Sequence, residues 1–297
     1  MTQEKECCCG PAADGRSAAA PVVEVACGGA RGEPSGWVRL DGGTFLMGAD
    51  DALAYPGDGE GPVREVTVEP FEIGATTVTV AEFAQFVEAT GHVSDAERFG
   101  DSLVFVGSLP DDAPPTRAIA STQWWRVVPG ASWRAPEGPG STVEDRADHP
   151  VTHVSQRDAL AYARWVGGRL PTEREWEFAA RGGLVQQPYP WGGEREPDGE
   201  RRMNTFEGRF PSAPSRPVGT TPARSFAPNG YGLFNMTGNV WEWTSSPFSA
   251  RDPQPVLRGG SFLCHDSYCR RYRVSARIAN TPDSSLSHTG FRLARSV

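Results

Sequence analysis

Residues 153–183 read HVSQRDALAYARWVGGRLPTEREWEFAARGG, and this stretch decides the class of fold. Ser155 followed three residues later by Asp158 is a helix start, since each side chain can bond the backbone N–H of the other. The helix DALAYARWV then stops at Gly167-Gly168. Thr172 and Glu175 repeat the device ahead of REWEFAA, which stops at Gly182-Gly183. Pro171 disfavours helical backbone in the residue before it, so the two helices stay separate. Upstream, Thr79 and Glu82 open another helix carrying Phe83, Phe86 and Val87, closed by Gly91. Around these helices the hydrophobic period changes. WVRLDGGTFLMG, from Trp37, reads as strand, Gly-Gly turn and strand, and REVTVEPFEI alternates like a single further strand. Beyond about residue 185 the pattern is short strands and long loops. The 34 Gly and 26 Pro of this 297-residue chain make about a fifth of it, which fits a loop-rich fold. The expectation is an α+β fold with a few helices, small antiparallel sheets and low regular secondary structure.

Charge and composition exclude some functions. A net charge of −8 argues against a nucleic-acid partner, whose phosphates need a basic surface. No apolar run reaches the length of a membrane span. The start, MTQEKE, lacks a basic region followed by an apolar one, so a soluble cytoplasmic protein is expected, as a monomer. Nine Trp predict aromatic clusters between the loops. Residues 1–35, rich in Ala, Gly and Pro without periodicity, read as a mobile tail holding Cys7, Cys8, Cys9 and Cys27. Residues 36–297 read as one domain.

The remaining cysteines sit in GGSFLCHDSYCRRYRVSAR, residues 259–277. Five extended residue steps cover roughly 17 Å, so the sulfurs of Cys264 and Cys269 meet only if the chain doubles back. His-Asp-Ser-Tyr between them contains turn formers that allow it. Spacing leaves several readings open: a local disulfide, two unrelated buried thiols, or a soft metal site. A zinc site lacks a second ligand pair, and two thiolates without carboxylates favour Cu(I). His265 is adjacent to the pair in sequence only.

The wider sequence resembles the formylglycine-generating enzymes, the sulfatase-modifying family, of the bacterial type. The resemblance is carried in order by GGTFLMG, TGHVSDAERFGDSLVF, WWRVVPGASWRAPEGPGS, DHPVTHVS, GRLPTEREWEFAARGG, PNGYGLFN, GNVWEW and GGSFLCHDSYCRRYRVSARIANTPDSS with TGFRLA, over about residues 37–295. It implies a fold related to C-type lectins. It implies an oxidase that uses O2 to convert the cysteine of a CxPxR motif, in an unfolded or nascent sulfatase, to Cα-formylglycine. Cys264 and Cys269 would hold Cu(I), with Ser261 beside the reacting sulfur and Trp241 lining the pocket. Tyr268, Tyr272 and Arg277 would bind substrate or support the site. Asn235, Gly238, Val240 and Glu242 match a calcium site, an oxygen-only donor set suited to Ca2+.

Some positions depart from the family pattern. Asn204 and Thr205 begin a second calcium site whose acidic partner is missing here, so that site stays unassigned. Gln156 stands where Trp is usual and Gly193 where an acidic or amide residue is usual, and the loop after Ser245 is short. These changes bear on the loops and the substrate groove. They keep open an alternative, a non-catalytic peptide- or copper-binding module on the same scaffold. An iron-dependent sulfur transferase is excluded, because the five histidines lack the metal motif that chemistry requires.

Overall fold

The computed structural model describes residues 36–55 and 57–297, so the expectations for residues 1–35, including Cys7, Cys8, Cys9 and Cys27, lie outside the described residues. In chain order the first elements are strands β1 (Trp37–Leu40), β2 (Gly43–Met47), β3 (Arg64–Val68) and β4 (Phe71–Gly74). Helices α1 (Val80–Thr90) and α2 (Asp95–Phe99) lead to β5 (Asp101–Phe105), β6 (Arg117–Ala118) and β7 (Trp125–Pro129). Helices α3 (Gln156–Trp165) and α4 (Glu173–Arg181) follow, then two short strands, β8 (Gly208–Arg209) and β9 (Ala213–Pro214). The chain ends with β10 (Trp241–Pro247), β11 (Pro255–Arg258), β12 (Arg277–Ala279), β13 (Thr289–Phe291) and β14 (Ala294–Ser296). The architecture is α+β with small sheets.

The three helices read from their caps are present as α1, α3 and α4, each with a reciprocal capping box. Gly91 and Gly182 close α1 and α4 in the left-handed conformation, with φ of 67° and 58°, which an L side chain resists. Helix α2 was not anticipated, although Ser94 and Glu97 form the same box. Its five residues carry too little periodicity to mark a helix.

The strands add to the sequence reading in one place and correct it in another. β1 and β2, joined by Gly42-Gly43, do not pair with each other: β1 pairs with β4, and β2 with β3, both antiparallel. REVTVEPFEI is two strands rather than one, broken at Glu69-Pro70, because a proline cannot donate to a ladder. At the Gly-Gly turn the Val68 carbonyl lies where a Cβ on Gly42 would be, so the crossing needs glycine.

The sheet that positions the site has the order β12-β11-β10-β13, with β13 parallel to β10 and the other pairs antiparallel. Helix α4 packs on it with an unusual face: Trp176 is buried, but so are Glu173, Glu177 and Arg181. Their charges are matched. Arg258 donates to Glu173 at 2.9 Å and to Glu177 at 2.5 Å, while Arg181 donates to Glu177 at 2.6 Å. A buried charge is tolerated only with such partners. The main core gathers Phe83, Phe86, Tyr162, Trp133, Trp241, Trp243 and Phe291, and Cys264, Cys269 and Tyr272 belong to the same cluster.

Candidate active site

After β11 the chain turns at Gly259 and Gly260, with φ of 95° and 74°. A Cβ on Gly260 would sit 2.8 Å from the Arg271 carbonyl oxygen, so the outgoing and returning arms of the loop touch there. Between them lie two turns: Cys264 N–H donates to Ser261 O at 3.0 Å, and Cys269 N–H donates to His265 O at 2.6 Å. The doubled chain brings the cysteines together. Each is 1% exposed, and their sulfurs stand 3.1 Å apart, well beyond the roughly 2.05 Å of a disulfide. Neither cysteine is in a disulfide.

Ser261 adjoins this pair. Its N–H donates to Cys264 Sγ at 3.4 Å, its hydroxyl oxygen accepts Leu263 N–H at 3.2 Å, and His288 Nδ1 lies 3.2 Å from the same oxygen. His288 is buried between Trp125 and Phe262, with edge-to-face ring contacts at 4.7 and 6.5 Å. Burial, reinforced by the nearby His153 ring, pushes its pKa down to about 3, so the imidazole is neutral. His153 is likewise held at about 3 by burial, and its Nδ1 meets Ser102 Oγ at 2.8 Å. Trp241, first residue of β10, is 1% exposed in the same cluster as the cysteines, and its N–H donates to the His288 carbonyl at 2.9 Å.

The supporting residues divide. Tyr268 stacks on Phe210 with ring centroids 4.5 Å apart and meets Trp124 edge-on at 4.8 Å, an aromatic wall beside Cys269. Tyr272 is buried against Tyr189, with the Arg195 guanidinium 4.8 Å from its ring centroid. Arg277 falls on the structural side: it forks onto both Glu173 oxygens at 2.6 and 3.0 Å and donates to the Asp58 and Phe248 carbonyls. Its fork anchors β12 to α4. His265 turns to Ser267 Oγ at 2.8 Å, in keeping with a structural role.

The GNVWEW segment places its donors unevenly. Asn235 donates through Nδ2 to the Pro222 and Ala223 carbonyls, and its Oδ1 is buried without a partner. Such an oxygen suits a cation. Glu242 Oε2 accepts from Trp176 Nε1 at 2.7 Å and Arg292 Nε at 3.1 Å, while Oε1 accepts one bond from Arg292 at 3.0 Å. A carboxylate oxygen can accept two, so one position on Oε1 is left for a metal, beside a competing guanidinium. Asn204 Oδ1 accepts one bond, from Arg201 at 2.9 Å, while its Nδ2 donates to the Gly219 carbonyl and to Asn239 Oδ1. No group of three or more His, Cys, Asp or Glu with metal-binding geometry occurs among the described residues. Two sulfur donors side by side are a donor set of the kind that suits a soft ion such as Cu(I).

Two of the family departures have structural answers. Gln156 donates to the Thr244 carbonyl at 2.8 Å, tying the start of α3 to β10. A Cβ on Gly193 would meet Gln187 Oε1 at 3.1 Å, a tight contact. Sequence reasoning missed His288 and Tyr55. Tyr55 accepts the Arg270 N–H at 3.1 Å, and its ring centroid lies 4.1 Å from the Arg271 guanidinium. Burial raises its pKa, and the charge of Cys269 raises it further. The partners lie 215 residues apart, beyond any local pattern.

Residues 24–297 match the family model described as the sulfatase-modifying factor enzyme 1-like domain. The chain belongs to this family. It is 53% identical over 281 residues to a formylglycine-generating enzyme of Thermomonospora curvata, covering 87% of this chain and 93% of that one. It is also 45% identical over 272 residues to the inactive Cα-formylglycine-generating enzyme 2 of Bos taurus, covering 89% of each. Among solved structures, PvdO from Pseudomonas aeruginosa superposes with a TM-score of 0.61 at 25% identity, over 88% of this chain and 94% of that one. Among the described residues, no helix is long and apolar enough to cross a membrane.

Proposed function

We propose that this chain converts the cysteine of a CxPxR motif, in a sulfatase-derived polypeptide, to Cα-formylglycine with molecular oxygen. The observation that carries the reading is the pair of buried, unbonded thiols 3.1 Å apart, within a chain of this family. Bound at Cys264 and Cys269, Cu(I) would supply oxygen activation and an open position for the substrate sulfur. The remaining work falls to the chain. Burial excludes bulk water from the sulfurs, which strengthens every polar contact there. The Ser261 N–H supports the Cys264 sulfur, and its hydroxyl keeps an exchangeable proton beside the reacting centre. Trp241 packs in the buried cluster that holds both cysteines, and the Tyr268, Phe210 and Trp124 rings offer the peptide an aromatic face.

Calcium belongs to the proposal as a structural ion anchored on Asn235 Oδ1, with Glu242 and the Gly238 and Val240 carbonyls completing the donors. Calcium at a hundredfold its dissociation constant should stabilise the fold by about 2.7 kcal/mol. Asn235→Ala should abolish that response in a thermal melt. An unchanged response in the variant places calcium elsewhere.

The enzymatic reading is tested with protein loaded with Cu(I), an aerated CxPxR peptide and mass spectrometry. The expected outcome is formylglycine in the peptide, lost in Cys264→Ala and in Cys269→Ala. A second reading, a peptide- or copper-binding module without turnover, is favoured by the 45% identity to the inactive relative. Peptide bound by the loaded protein and recovered unchanged would establish it.

A further inference from the structure

We propose that His288 is a positioning residue for Ser261, accepting the serine hydroxyl hydrogen at Nδ1 and so fixing where the hydroxyl oxygen sits beside Cys264. The inference rests on the enzymatic reading above for its effect on turnover, and on geometry alone for the hydrogen bond.

The tautomer of His288 sets the direction of the bond, and the surroundings of the oxygen favour one direction. Ser261 Oγ accepts the Leu263 N–H at 3.2 Å, and among the described residues the only acceptor in reach of its single hydrogen is His288 Nδ1. His288 Nδ1, 3.2 Å away, receives that hydrogen if it carries none of its own. A neutral imidazole protonated at Nε2 meets this condition. His288 Nε2 is buried without a partner among the described residues, so this tautomer carries an unsatisfied N–H, a cost set against the bond that the Ser261 hydroxyl gains at Nδ1. The groups facing this ring are Ser261, Trp125, Phe262 and the neutral His153, with no carboxylate in contact to draw a second proton onto it.

Position adds to the case. The His288 carbonyl accepts the Trp241 N–H at 2.9 Å, so one residue ties down both Ser261 and the start of β10. The ring packs edge-to-face against Trp125 and Phe262, which restricts its motion. A serine held by a fixed acceptor presents its oxygen in one place. A serine without one rotates among staggered positions, and only some of them face the sulfur.

The experiment combines spectroscopy with a double-mutant cycle. In metal-free protein carrying 15N-labelled histidine, His288 should show an unprotonated Nδ1 and a protonated Nε2, with the Nδ1 resonance shifting in Ser261→Ala. Protonated Nδ1, or no shift in that variant, overturns the inference whatever the enzyme does. In turnover assays His288→Leu should lower kcat about tenfold with the peptide KM unchanged. His288→Asn, which offers an amide oxygen near the Nδ1 position, should recover most of the loss. On the Ser261→Ala background, His288→Leu should cost less than about twofold, because the two residues act as a unit. A full tenfold loss on that background overturns the inference. Failure of the wild-type protein to turn over peptide overturns the enzymatic reading instead, and the resonance test still decides the hydrogen bond.

Discussion

The face where α4 meets β11 and the loop that carries the cysteines are both buried, yet they pair their polar groups to different degrees. On α4 the charges answer one another, Glu173 with Arg258 and Arg277 and Glu177 with Arg181 and Arg258, and of these groups only Arg258 Nε lacks a partner. Around the cysteine loop, polar atoms lie buried without partners, among them His288 Nε2, Asn235 Oδ1 and Ser287 Oγ. Natural structures leave few such atoms, because each costs about 1–3 kcal/mol. The first region is a frame that holds the fold. The second keeps polar atoms free where ligands and chemistry need them, at the expense of local stability.

This contrast can be broken by experiment. The largest effect should come from Glu177→Ala, which leaves Arg258 and Arg181 without a shared carboxylate and should destabilise the fold by ~3–5 kcal/mol in denaturant melts. Cys264→Ala, in the other region, should remove turnover yet cost less stability than Glu177→Ala. The opposite ranking would dissolve the distinction between frame and site.

Acid should act on the second region first. His153 and His288 sit at about 3 in the fold, against about 6.5 in an unfolded chain. Between those values the unfolded chain binds protons that the folded rings refuse, so stability falls as pH drops below about 6.5. Each ring contributes a slope of ~1.4 kcal/mol per pH unit across that window. Replacing His288 by Asn should flatten the slope by one ring's share, as read from stability curves at pH 6.5, 5.5 and 4.5. A slope unchanged by the substitution would mean that the ring is not buried neutral.

The smallest effect belongs to the frame's edge. Ser94→Ala removes the cap of α2 and should cost about 1 kcal/mol by thermal melt, without changing turnover. A loss of turnover from this change would show that α2 communicates with the site.

Much of the molecule was legible before any coordinates. The helices α1, α3 and α4 were marked by caps spanning three residues, and their glycine stops lie at the next turn. The cysteine turn was legible only as one its residues permit: its bonds join residues three or four apart, but spacing left open whether the sulfurs meet. Strand pairing was not, because Trp37–Leu40 chooses Phe71–Gly74 over the adjacent strand by packing, with no local signal in the turn between them. The resemblance implied Glu242 as a calcium ligand, and only the fold shows that Arg292, fifty residues on, also donates to both of its oxygens.

By itself, then, the sequence determined the fold class and the helix ends, and allowed a turn between Cys264 and Cys269, since caps and turns act over a few residues; that the two sulfurs meet was decided by the tertiary structure. The tertiary structure alone decided which polar atoms are paired, that His288 stands behind Ser261, and that Tyr55 reaches the cysteine loop across 215 residues. Those contacts close only when distant segments pack into one core, and no pattern along the chain encodes their partners.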